Sequence, residues 1–178
     1  NSTEMVLFLS QLRALSGGKP VGFKLCIGNR EEFEEICKTM ANLRIYVDFI
    51  SVDGAEGGTG AAPLEFTDYV GMPLFDAVAF ARKTIDHYGL PTKIIASGKI
   101  VTAFDILRVM ALGASACYSA RGMMMSLGCI QALQCDSGTC PVGIATQDKR
   151  LYRGIDITDK RVRVSNFHLN TLKAVADL

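Results

Sequence analysis

Four stretches of the chain repeat one order: an apolar run of strand length, a loop of small residues, then an apolar stripe at helical spacing. The first run is Val21 to Ile27, with Lys24 as its single charged member. Asn29 suits a helix N-cap, and Phe33, Ile36, Cys37, Met40 and Leu43 follow at i, i+3, i+4, i+7 and i+10, which predicts an amphipathic helix. The second run is Asp48 to Val52, and a glycine-rich loop from Asp53 to Met72 separates it from the next stripe. That stripe is Leu74, Ala77, Val78, Ala81 and Ile85, with Pro73 in the first turn and Gly89 at the C-terminal stop. The third run, Lys93 to Ala96, precedes a capping-box pair, Thr102 with Asp105, and a helix that ends at Gly113. The fourth, Ala116 to Ser119, leads through Gly122 into a Met-rich apolar segment, Met123 to Leu133. A charged stretch over 148–163 then precedes a last helix over 164–178.

Strands alternating with helices of this length predict βαβ units and a parallel sheet. The first two runs lack clean polar alternation, so both faces of those strands are expected to be buried. Four units cannot close an eight-stranded barrel; they make either a small open α/β sheet or half of a barrel, and the pattern allows both.

Composition narrows the class. With 49% hydrophobic and 21% charged residues, the 178-residue chain can bury the core of one domain. A net charge of +1 without a block of like charges excludes a nucleic-acid stripe or a polybasic membrane segment. No apolar run is long enough for a membrane-spanning helix, and the expected location is the cytoplasm. Cys26, Cys37 and Cys117 sit inside apolar patterns and read as buried small side chains.

In such folds the loops after strand C-termini carry the chemistry. Lys24 is either a snorkelling strand residue or a fixed charge that meets an anion. The second loop runs Asp53-Gly54-Ala55-Glu56-Gly57-Gly58-Thr59-Gly60-Ala61-Ala62-Pro63, and its glycines let a ligand approach the backbone. Ser97-Gly98-Lys99 and Ala120-Arg121-Gly122 put small residues and a cation just after the third and fourth strands, where N–H groups can face a phosphate. No GxxxxGK[ST] run is present, which argues against nucleoside-triphosphate hydrolysis. Cys129, Cys135 and Cys140 form C-x5-C-x4-C followed by Pro141. Thiolates at this spacing suit a soft metal or an iron–sulfur cluster, whereas zinc would need a fourth ligand; three unrelated thiols is the other reading.

Taken together, Lys-Leu on a strand, GGTGAAP, a small-residue phosphate loop, ARG and GCIQALQCDSGTCPVGIATQD resemble the FMN-binding domain of the glutamate synthase family, over about Gly18 to Asp148. The resemblance implies strands 5 to 8 of a (β/α)8 barrel over residues 18–122, an iron–sulfur segment over 123–148, and a tail with a helix over 149–178. It implies Lys24 and Glu56 as catalytic residues, FMN beside Lys24, Gly57, Gly58 and Thr59, and its phosphate at Ser97, Gly98, Lys99, Ala120, Arg121 and Gly122. It also implies a 3Fe–4S cluster on Cys129, Cys135 and Cys140. The implied reaction reduces 2-iminoglutarate, from 2-oxoglutarate and ammonia, to L-glutamate, with electrons from ferredoxin or an NADPH-oxidising subunit. Ala55-Glu56 stands where the large enzymes of the family carry His-Asp, and Ser97-Gly98-Lys99 where they carry Asp-Gly-Gly, a pattern closer to the family's related branch. Half a barrel implies an inactive, self-associating fragment. Two alternatives keep the residues but change the role: a non-catalytic FMN- or phosphate-binding module, or a non-redox α/β enzyme acting on a phosphorylated substrate.

Overall fold

The computed structural model describes residues 1–58, 61–63 and 65–178. Its first element, α1 (Ser2–Leu15), precedes every unit expected from the pattern. Asn1 caps it by accepting the Glu4 amide while the Glu4 side chain bonds back to Asn1, a complete capping box. Four βα units follow: β1 (Gly22–Cys26), α2 (Arg30–Leu43), β2 (Phe49–Asp53), α3 (Leu74–His87), β3 (Lys93–Ser97), α4 (Ala103–Ala111), β4 (Ala116–Tyr118) and α5 (Ala120–Leu127). A short α6 (Lys149–Tyr152) and a long α7 (Ile157–Asp177) close the chain. The Asn29 cap of α2 and the Thr102–Asp105 capping box of α4 form as expected. The last helix starts at Ile157 rather than near residue 164, because the Asp156 carboxylate accepts the amides of Thr158 and Asp159 and nucleates the turn there.

The strands lie in the order β1-β2-β3-β4, all parallel, so the sheet is α/β with helical crossovers. Register sorts the side chains into two faces. Ile50, Val52, Ile94 and Ala96 are fully buried on one face, in a core shared with Phe33, Met40, Val78, Ile85 and Val109 of the helices. Burial of these large side chains supplies the main favourable free energy, about 1.5–3 kcal/mol for each.

The opposite face carries two rows, Lys24–Ser51–Ile95–Ala116 and Cys26–Asp53–Ser97–Tyr118. Lys24, Cys26, Ala116 and Tyr118 are exposed there. The expectation that β1 is buried on both faces therefore fails, and with it the reading of Cys26 as a buried side chain. Alternation puts Cys26 on the same face as Lys24, where no described helix lies over it and its sulfur meets the loop at Val70 and Gly71. Cys37 is fully buried as expected, and Cys117 is half-buried.

At the other end of the strands, α1 is tied to the sheet. Arg13 pairs with the Asp48 carboxylate and donates to Tyr46 O at 3.1 Å, while Val21 N donates to Asp48 at 2.7 Å. No helix among the described residues is long and apolar enough to cross a membrane.

Candidate functional site

The loops that leave β2, β3 and β4 converge with the cysteine segment around one cavity of about 310 Å³. Gly57 and Gly58 line it from the first loop, Ser97, Gly98 and Lys99 from the second, Ala120 and Arg121 from the fourth strand's end. Cys129, Cys135 and Cys140 line it from the far side. Sequence positions up to 88 residues apart, from Gly57 to Ala145, thus line one cavity.

Backbone geometry explains the small residues. Gly98 adopts φ +145°, and a Cβ there would stand 3.2 Å from Gly54 N, so a bare residue at 98 lets the loops after β2 and β3 approach closely; at Gly54 a Cβ would instead meet Glu56 and Leu74 of α3. Gly54 N donates to Ser97 O at 2.8 Å across that contact. Gly122 is buried away from the cavity: a Cβ there would meet the Phe167 ring of α7 at 2.9 Å. Its smallness lets α7 lie against α5, so Gly122 shapes the site indirectly.

The two expected cations are both present and both engaged. Arg121 Nη2 donates to Gly58 O at 3.2 Å, and Lys99 Nζ donates to Asp68 at 2.8 Å. Ser119, at the N-cap of α5, makes no capping bond; its hydroxyl donates to Ile100 O at 2.8 Å instead. The first-turn amides of α5 are left without a side-chain cap, beside Arg121, which is the arrangement an anion such as phosphate requires.

Lys24 and Glu56 are not among the residues that line the cavity. Lys24 stands on the open sheet face with its ammonium 2.6 Å from Asp53 Oδ2. Both carboxylate oxygens of Glu56 lie 3.0 Å from the Leu74 amide, capping α3, whose own N-cap, Pro73, has no side chain that can do so. Thr59 lies outside the described residues. The sequence reading named Asp53 only as part of the glycine-rich loop and missed Asp68 and Tyr118. Tyr118 was legible in the alternation of β4, which puts it in the Ser97 row; the pairing of Lys99 with Asp68 left no local signal.

All six cysteines are free. Gln131 N donates to Cys129 Sγ at 3.4 Å, and Gln131 and Leu133 hold φ +57° and +54°, a tight path that keeps the segment wrapped on the cavity. The Cys140 thiol is pulled below its ordinary value by the Ala145 amide, against burial and with help from the amides of Val142, Ile144 and Gly143. Amides aimed at one sulfur favour its thiolate, the form that binds metal. Among the described residues no three His, Cys, Asp or Glu side chains converge to metal-binding distance. The three thiols that line the cavity are the donor type an iron–sulfur group takes, although they do not converge on one metal position, and the uncapped α5 turn with Arg121 offers donors of the kind that suit the phosphate of FMN.

The family described as "conserved region in glutamate synthase" matches residues 1–178, the whole chain. This chain belongs to the glutamate synthase family. It is 42% identical over its full length to the glutamate synthase large subunit-like protein YerD of Bacillus subtilis, of which it covers 34%. It is 40% identical over 121 residues to the archaeal glutamate synthase [NADPH] of Methanocaldococcus jannaschii, covering 67% of this chain and 24% of that protein. The archaeal-type glutamate synthase [NADPH] of a Thermotoga species is 36% identical over 141 residues, 78% of this chain and 27% of the relative. The chain thus spans about a third or less of these curated relatives. The match extends beyond the Gly18–Asp148 segment that carries the motifs, and takes in α1 and α7.

Proposed function

We propose that this chain supplies strands 5 to 8 of a (β/α)8 barrel in a glutamate synthase-like oxidoreductase, and holds the phosphate of FMN and a 3Fe–4S cluster on either side of one cavity. The observation that carries this reading is that cavity: two small-residue loops with Lys99 and Arg121 face Cys129, Cys135 and Cys140 across it. When bound, FMN and the cluster supply electron relay and hydride transfer to an imine carbon, the chemistry that turns 2-iminoglutarate into L-glutamate.

In this reading Arg121 and Lys99 neutralise the phosphate, and the amides of the first α5 turn hydrogen-bond it. Gly57, Gly58, Ser97, Gly98 and Ala120 admit it to the backbone, and Gly122 seats α5. Lys24 presents a positive charge on the open face, one row back from Ser97 and two strands over, about 10 Å across the sheet at the usual strand spacing. Glu56 holds the loop against α3. Cys129, Cys135 and Cys140 are the cluster ligands, the first and last already facing backbone amides. The substrates are 2-oxoglutarate and ammonia, and the electron donor is ferredoxin or an NADPH-oxidising subunit.

The test uses the protein as its gene encodes it, purified without oxygen. FMN titration should show tight binding that Arg121→Ala weakens by roughly 1.5–3 kcal/mol, the range for hydrogen bonds to charged groups, or about 10- to 150-fold. Glutamate should form from 2-oxoglutarate and ammonia with a chemical reductant. An unchanged FMN dissociation constant in Arg121→Ala would reject the phosphate assignment, and absence of both flavin and cluster would reject the redox reading.

A further inference from the structure

Asp53 ends β2 between two paired neighbours, Cys26 on β1 and Ser97 on β3. Its backbone is therefore fixed on both sides. Lys24 lies one row back on the same face, directly opposite Ser51, and reaches diagonally to place Nζ 2.6 Å from Asp53 Oδ2. The other Asp53 oxygen, Oδ1, is buried and has no hydrogen-bond partner, and neither has the buried hydroxyl of Ser51 beside it. Other charges nearby are committed elsewhere: Glu56 to the Leu74 amide and Lys99 to Asp68.

Stability does not account for this pair. The Lys24 side chain is 63% exposed, so solvent screens its attraction to Asp53. Burying one carboxylate oxygen without a partner opposes folding. What the pair does achieve is geometric. A lysine stem has four rotatable carbons, and without a partner its ammonium samples a wide volume of the open face. A carboxylate on a doubly paired strand limits it to one place.

We propose that Asp53 is a positioning residue that holds the Lys24 ammonium at a set point on the open sheet face, toward the flavin ring. The inference rests on the flavin reading of the site. General flavin chemistry supplies a readout that is not turnover. Sulfite adds reversibly to N5 of oxidised flavin: the sulfur lone pair forms the S–N bond, and the electron density passes to the N1–C2 carbonyl region. A cation held there stabilises the adduct.

The experiment compares wild type, Asp53→Asn and Lys24→Met, each loaded with FMN, by spectrophotometric sulfite titration. Both variants, compared at full FMN occupancy, should bind sulfite at least about tenfold more weakly, a loss of about 1.4 kcal/mol, and the double variant should be no weaker than either. Tighter sulfite binding in Asp53→Asn would overturn the proposal, since it would mean that Asp53 only offsets charge; unchanged binding would overturn it equally. A second measurement needs no flavin. After reductive ¹³C-methylation, the Lys24 signal of the wild type should stand apart from the bulk lysine signals and merge with them in Asp53→Asn. A merged signal in the wild type overturns the positioning of Lys24. A separate signal in protein that binds no FMN upholds it and rejects the flavin reading alone.

Discussion

Cys37 and Cys135 carry the same thiol into opposite surroundings. Cys37 is fully buried, and burial first, then the nearby Glu34 carboxylate, pushes it up to about 12. Cys135 is exposed at the cavity. In iron-free protein at pH 8, iodoacetamide should label Cys135 quickly and spare Cys37 until urea unfolds the chain; mass spectrometry of the alkylated peptides reads this directly, and early labelling of Cys37 would contradict its burial. The α4 cap gives a second residue-level outcome. Burial raises the Asp105 pKa, but the Thr102 amide and hydroxyl, the Val101 amide and Arg108 outweigh it and leave the group below its usual 3.8. The folded value lies below the unfolded one, so the stabilisation is complete above the unfolded value and fades as pH falls through the folded one. Urea midpoints should therefore drop more steeply below about pH 4 in wild type than in Asp105→Asn. Thr102→Ala should cost about 1 kcal/mol at neutral pH. The cap residues themselves were legible, because Thr102 and Asp105 are local and act through neighbouring amides. The partners of Lys24 and Lys99 were not, because Asp53 and Asp68 meet them only after strands pair and loops fold back.

Elements show where sequence pattern succeeds and where it falls short. The stripes of α2 and α3 were readable because one face of each meets the sheet and the other meets water. α1 has no such stripe: Val6 and Leu9 are buried while Leu7, Phe8 and Leu15 stay exposed, so apolar residues occur all round and the helix was overlooked. Its one local sign was the Asn1–Glu4 capping pair. The cysteine segment has no periodicity to read; its path is set by turns with left-handed residues and by packing on α6, where a Cβ at Gly143 would meet Leu151 O at 2.4 Å. Between α5 and α7 the contact of Gly122 with Phe167 is testable. Gly122→Ala should destabilise by about 1–3 kcal/mol through overpacking. Phe167→Leu should relieve most of that loss, a coupling that a double-mutant cycle with chemical denaturation would measure. Strict additivity would mean that α7 does not rest on Gly122.

At the scale of the molecule, helices cover one sheet face, and the face carrying Lys24, Asp53 and Ser97 lacks a covering layer among the described residues. The parallel order and the loop positions were foreseeable from four strand–loop–helix units. The bare face was not, since apolar strands look alike whether the second layer comes from the same segment or from another. Within the described sheet β1 and β4 each pair on one side only, and such edges recruit further strands. Expressed alone, the 178 residues should elute from gel filtration above monomer size with little FMN; a strict monomer holding stoichiometric FMN would contradict the half-barrel assignment. The most direct test of the joint flavin and cluster site is low-temperature EPR with iron and flavin analysis on the protein as its gene encodes it, beside its Cys135→Ser variant. The wild type should show the signal of an oxidised 3Fe–4S cluster together with bound FMN, and Cys135→Ser should lose the cluster signal while keeping FMN. A normal cluster signal in Cys135→Ser, or flavin-loaded wild type without iron, would show that the three cysteines around this cavity do not hold a cluster.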